Sequence, residues 1–252
     1  MDLSGVTVVL PALDEAAALP AALASFPAGI DLLVVDNGSS DSTAAVAAAA
    51  GARVVAEPRR GFGAACWAGV LASPRAEVIA VADADGSFDG ADLTVVAGPV
   101  LRGQADLVVG SRITGRREPG AMTAFAAAAN RALGLACRLL FGVPLSDLGP
   151  FRAIRRDTLL ALGLRDRGQG WPLEMIGRAG QAGLRVVEVP VSYRPRAAGA
   201  SKVSGSLRGS LRATAAMAAV AGRLLAEQFR ASAPPGNAER PPDRPRPRSA
   251  GR

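Results

Sequence analysis

The sequence predicts an α/β fold, a mainly parallel central sheet flanked by helices, on three observations. Short β-branched runs alternate with helix-length stretches through the first half of the 252 residues. The runs are almost continuously apolar, as in strands covered on both faces. Polar or acidic residues follow several of them directly, and in open α/β sheets ligands gather beyond the carboxyl ends of the strands.

In chain order, residues 6–10, 32–35, 53–56, 78–82 and 106–110 read as strands. Residues 16–24, 42–50, 63–72 and 91–101 have helical length and composition between them. Ser39 or Asp41 suits the N-cap of the second helix, and Gly61 and Gly63 permit a tight turn into the third. The second half is less regular. It holds a helix over 122–141, a buried apolar stretch around 151–154, a helix near 173–182 and strands within 185–193. An Ala-rich helix over 207–229 carries Leu207, Leu211, Leu224 and Leu225 among Arg208, Arg212 and Arg223, so it either docks on the body or lies on a membrane surface. The expected organisation is a main domain over 1–205, this helix over 206–230, and a disordered Pro- and Arg-rich tail over 231–252.

Composition narrows the function classes. The net charge of +7 suggests nucleic acid, but residues 230–252 hold six arginines against Glu239 and Asp243, and aromatic residues are 4% of the chain. Neither a basic stripe nor a base-stacking platform remains in the main domain. Cys66 and Cys137, far apart and without a CxxC partner, read as core thiols. Apolar runs break before the ~20 residues of a spanning helix, and no basic, apolar signal opens the chain. The expectation is a cytoplasmic protein, touching the inner face of a membrane at most peripherally. Histidine is absent, which removes the usual general base and the commonest zinc ligand.

The strand over 78–82 runs into Asp83-Ala84-Asp85, two carboxylates one residue apart. Such a pair, completed by substrate phosphate and water, satisfies Mg2+ or Mn2+; the plainer alternative is an acidic turn before Gly86. Glu15 and Asp36 lie at two further strand ends, and Asp36 could accept hydrogen bonds from a nucleobase edge. Arg112, Arg131, Arg152, Arg194, Arg196 and Lys202 follow strand ends and loops, suiting two phosphate-bearing substrates. Lys202 is the only lysine, a mobile point charge in a chain that otherwise uses arginine. RRGFGAAC has only two glycines of a dinucleotide fingerprint.

In order along the chain, PALDE, VVDNGSSD, RRGFGAACWAG, ADADGSFD, GSR, DLGPFRAIRRD, EVPVSYRPR and GASK resemble the motifs of family-2 glycosyltransferases, nearest the dolichyl-phosphate mannose synthase-like branch, over roughly residues 5–205. The resemblance implies a GT-A fold, inverting transfer, and a nucleotide-diphosphate sugar donor of the GDP-mannose or UDP-glucose type. It implies that Pro11, Ala12, Glu15 and Asp36 line the nucleotide pocket, and that Asp83 and Asp85 hold metal and diphosphate. Asp147 and Glu174 fall on the acceptor side, either being a candidate general base for a hydroxyl acceptor. Asn37 stands where many relatives have a second Asp, Ser87 where some have a longer metal-binding side chain, and DLGPF replaces the usual Thr-Ser-Gly-Phe run.

The favoured acceptor is polyprenyl phosphate, which suits a chain without histidine because a phosphate monoester is already anionic at neutral pH. Alternatives are transfer to a sugar or small-molecule hydroxyl, a retaining enzyme on the same fold, and a non-catalytic nucleotide-sugar binder. A nucleotidyltransferase would need a Gly-rich phosphate loop that residues 10–18 lack.

Overall fold

The computed structural model describes residues 1–198 and 207–232, with side chains from 212 to 230 in the second segment. Its strands form one seven-stranded sheet in the order β3-β2-β1-β4-β6-β5-β7. These are β1 (Val6–Ala12), β2 (Asp31–Asp36), β3 (Arg53–Ala56), β4 (Val78–Val81), β5 (Leu107–Ser111), β6 (Arg152–Arg155) and β7 (Val186–Pro190). β1 pairs in parallel with β2 and β4, β2 with β3, and β5 with β7. β6, the apolar stretch expected around 151–154, runs antiparallel between β4 and β5.

Consecutive strand residues face opposite sides, and both faces are apolar. Val9, Leu33, Ile79 and Val109 enter one core; Val8, Leu10, Val34 and Val108 enter the other. The first core lies under α3 (Phe62–Leu71) and α7 (Trp171–Gln181), the second under α1 (Leu19–Ala24) and α4 (Leu93–Leu101). α2 (Thr43–Ala49) stands beside β2 and β3, and α5 (Ala124–Phe141) beside α7. Cys66 and Cys137 are buried free thiols, as read.

Two details differ from expectation, and a third decides between stated alternatives. The first helix begins at Leu19 because Glu15 to Ala18 form a turn, the Ala18 and Leu19 amides both donating to the Glu15 carbonyl. A short helix, α6 (Arg156–Ala161), was not foreseen; six residues leave little periodicity to detect. α8 (Leu207–Ser232) resolves its two alternatives, since Val220 and Leu224 are buried and Gln181 Nε2 donates to the Leu224 carbonyl at 3.0 Å. The helix docks on α7. By contrast α5 is, among the described helices, long and apolar enough by length and composition to cross a membrane. Of the expected tail, residues 231 and 232 end α8 and the rest lies outside the described residues.

Candidate active site

Beyond the carboxyl ends of β1, β2 and β4 lies a cleft of about 490 Å3. Pro11 and Ala12 line it because β1 runs on past its apolar run to Ala12. Asp14, at a left-handed φ of +51°, turns the chain away, its carboxylate accepting the Ser40 amide while its own amide donates to Ser39 Oγ. The loops after β1 and β2 are thereby fastened together. Asp36, expected on the nucleotide, instead accepts the Ser39 amide at 3.0 Å and is not among the cleft-lining residues. Its neighbour Asn37 lines the wall, donating to the Glu57 and Arg59 carbonyls and accepting the Gly61 amide.

Gly61 has φ +142°, and a Cβ there would stand 2.2 Å from the Arg167 carbonyl oxygen. That close approach lets the Gly63 and Ala64 amides donate to the Gly168 and Arg167 carbonyls. These two amides in the first turn of α3 are thus engaged within the chain and not turned to a ligand, unlike those of a dinucleotide phosphate cradle.

The carboxylate pair closes the floor. Ala84 is buried in the core, so Asp83 and Asp85, one residue to either side, both reach the cleft. Burial, and then the charge of Asp85, push the Asp83 carboxyl up from 3.8 to about 7, against the pull of Arg112, Arg196 and Arg152. Asp85 accepts the Ser87 amide at 2.9 Å and Arg196 Nη1 at 2.6 Å. The other arm of Arg196 reaches Glu15 at 2.6 Å, while its Nε is buried without a hydrogen-bond partner. The strand-like segment after β7 is strapped over this floor, the Arg194 amide donating to the Ser87 carbonyl and the Ala197 amide to that of Asp85.

The acceptor-side residues are distributed differently from expectation. Arg112 does line the cleft, under Tyr193 at 5.3 Å from the ring centroid. Burial works against its charge, but bonds from Nε and Nη2 to both Asp147 oxygens, each 2.8 Å, outweigh burial and hold it protonated. Asp147 is fully buried, also accepts the Arg112 amide, and is held in place by Glu188, which accepts its amide. It orients Arg112 and presents no free oxygen to an acceptor. A Cβ on Gly149 would stand 1.8 Å from the Gly110 carbonyl oxygen, so glycine there lets this turn close onto the end of β5.

Arg152 is a correction. Its guanidinium is buried and donates to the Leu148, Gly149 and Pro172 carbonyls, burial lowering its pKa to about 10. It braces the wall rather than meeting phosphate. Glu174 is a second correction: fully buried, it accepts the Arg165 and Asp166 amides on one oxygen and Arg178 and Arg223 on the other. It is a junction between α7, α8 and the preceding loop, off the cleft. Arg194 pairs with Asp89, and with Glu118 at 3.9 Å, outside the cleft. Arg131 is exposed on α5, whereas the adjacent Asn130 and Leu133 line the cleft. Lys202 lies outside the described residues. Sequence reasoning did not single out Asn130, Tyr193 or Asn37 as lining; Asn37, in the strand-end run VVDNGSSD, and Tyr193, in SYRPR, carried a signal, and Asn130 did not.

Comparison with known proteins agrees with this geometry. A family model described as glycosyl transferase family 2 matches residues 7–160. An uncharacterized glycosyltransferase of Mycobacterium tuberculosis is 51% identical over 82% of this chain and 93% of its own. An undecaprenyl-phosphate mannosyltransferase of Micrococcus luteus is 31% identical over 81% of this chain and 89% of its own. Among solved structures, glucosyl-3-phosphoglycerate synthase of Mycobacterium tuberculosis, in complex with Mn2+, UDP-glucose and phosphoglyceric acid, superposes with a TM-score of 0.64. It has 26% identity, over 86% of this chain and 79% of that one.

Proposed function

The chain belongs to glycosyl transferase family 2, and from that premise we propose an inverting hexosyltransferase that carries sugar from a nucleotide-diphosphate donor to polyprenyl phosphate. The observation that carries the reading is the pair Asp83 and Asp85, set at the end of β4 on a cleft large enough for a nucleotide sugar. These residues fit a divalent cation. Burial and then the neighbouring Asp85 charge raise the Asp83 pKa to about 7, a penalty that a cation would relieve, and Ser87 Oγ in the same turn is buried without a partner. Mg2+ or Mn2+ at Asp83 and Asp85 would supply charge stabilisation for the departing diphosphate; the solved neighbour holds Mn2+ with its UDP-glucose. The donor is of the GDP-mannose or UDP-glucose type, its nucleoside against Pro11, Ala12 and Asn37.

An acceptor phosphate oxygen attacks the anomeric carbon, the bond to the diphosphate oxygen breaks with its electron pair, and the configuration inverts. No proton must be removed, since the second phosphate pKa is near 6. This suits a chain whose two candidate bases, Asp147 and Glu174, are buried away from the cleft lining and engaged by arginines and amides. Arg112, fixed by Asp147, stands ready for the acceptor phosphate, and Arg196 for the diphosphate. A second reading, transfer to a hydroxyl of a small phosphorylated acceptor, is favoured by the phosphoglyceric acid in the solved neighbour.

The test offers purified protein labelled GDP-mannose or UDP-glucose with Mn2+, and polyprenyl phosphate or a panel of hydroxyl acceptors including phosphoglycerate. Product on polyprenyl phosphate, inverted by NMR and abolished by chelator, is expected. Product on hydroxyl acceptors alone would replace the reading with the second one.

A further inference from the structure

Helix α5 has two unlike faces. Ala127, Gly134, Cys137 and Phe141 turn inward, and Asn130 and Leu133 line the cleft. The outer face is apolar and bare: Phe125 is 79% exposed, Leu135 55% and Leu139 73%, with exposed Ala128 and Ala132 between them. The spacing 125, 128, 132, 135, 139 is that of one helical stripe. Exposed Arg131 and Arg138, seven residues apart, run along one edge, and α5 contains no acidic residue. Exposed Arg116 and Arg117 lie in the loop before it. A contiguous apolar stripe of this length is rare on a surface facing only water.

We propose that the outer face of α5 docks on an anionic lipid bilayer and so sets the cleft mouth against the acceptor's own membrane. The charge selects this occupant: an apolar stripe edged on α5 by Arg131 and Arg138, with Arg116 and Arg117 outnumbering the exposed Glu118 in the loop before it, complements anionic headgroups over acyl chains. A second copy of the chain would bring the same arginines together. The same helix reaches the cleft on its other side, where Asn130 and Leu133 line it and Asn130 Oδ1 accepts from Arg112 Nη2 at 3.2 Å, so a lipid phosphate entering along α5 meets Arg112. The inference rests on the polyprenyl-phosphate reading for its purpose, though not for its detection.

The experiment co-sediments the full chain with vesicles of phosphatidylcholine alone or mixed with phosphatidylglycerol. A double variant, Phe125→Glu with Leu139→Glu, changes two exposed positions outside the cleft. Wild type should partition onto anionic vesicles at least tenfold better than onto neutral ones, and the variant should lose at least tenfold with an unchanged melting temperature. With acceptor supplied either as a short, water-soluble polyprenyl phosphate or as a long one in vesicles, the variant should keep the first activity and lose the second. Vesicle binding that the variant retains, or a dimer in sedimentation velocity that the variant dissolves, overturns the proposal. Vesicle binding without transfer to either acceptor leaves the docking face standing and removes the polyprenyl-phosphate reading.

Discussion

At the scale of single residues, the site is a balance between crowded carboxylates and the arginines that answer them. Asp83 carries a charge that folding disfavours. Its pKa rises from 3.8 to about 7, so the folded chain binds an extra proton between those values and stability falls as pH rises through that window. Asp83→Asn removes that loss. At pH 8 without metal it should stabilise the protein by about 2 kcal/mol once water in the cleft is discounted, roughly 4–8 °C in melting temperature. The same variant should abolish the melting shift that Mn2+ plus donor gives wild type; an unchanged shift would remove Asp83 from the metal site. Arg196 acts in the opposite sense, because it holds Asp85 and Glu15. Arg196→Gln should bind Mn2+ more tightly in calorimetry without nucleotide, by several-fold, yet bind nucleoside diphosphate more weakly. Weaker Mn2+ binding would show that the arginine does not compete for the carboxylate.

Elements decide which of these residues reach the cleft, and here sequence and structure part company in instructive places. The acidic strand ends were legible because a parallel strand covered on both faces must be apolar, so the first carboxylate marks where it leaves the core; Asp83 after β4 follows this rule, and after β1 the first carboxylate is Asp14, next to Glu15. Arg152 and Glu174 were misread for one reason. A charged residue named from sequence is taken as exposed, whereas these two are buried, Arg152 satisfied by the carbonyls of Leu148, Gly149 and Pro172, and Glu174 by the Arg165 and Asp166 amides, Arg178 and the remote Arg223. Backbone carbonyls and amides accept or donate whatever their side chains are, so most of this pairing leaves no residue-type signal in the sequence. Glu174→Gln therefore tests an element junction rather than a base. Breaking one partner of a buried ion cluster costs about 3 kcal/mol, so the melting temperature should fall by roughly 6–12 °C. Turnover per folded molecule should stay within about threefold, and a loss of 100-fold or more at unchanged stability would restore the general-base role.

For the whole molecule, the open question is where the folding unit ends, and α8 supplies the reason to place that end beyond residue 230. Its leucines looked from sequence as suited to a bilayer as to a core. In the fold Val220 and Leu224 belong to the main core, a Cβ on Gly177 would stand 2.5 Å from Leu224, and Arg223 completes the coordination of Glu174. The helix is thus a late but integral layer over α7, and the exposed apolar stripe lies on α5 instead. Two truncations separate these roles. Removing residues 233–252, a Pro- and Arg-rich stretch without core-forming composition, should leave melting temperature and donor binding within error of wild type. Removing everything from residue 207 should uncover Gly170, Gly177 and the Glu174 cluster and abolish cooperative unfolding in circular dichroism. Leu224→Ala is the graded version, expected to cost about 2–5 kcal/mol as a buried leucine leaving a cavity. A chain ending at residue 206 that still unfolds cooperatively and binds donor would return α8 to the status of an appendage, with Glu174 then held by Arg178 and backbone amides alone.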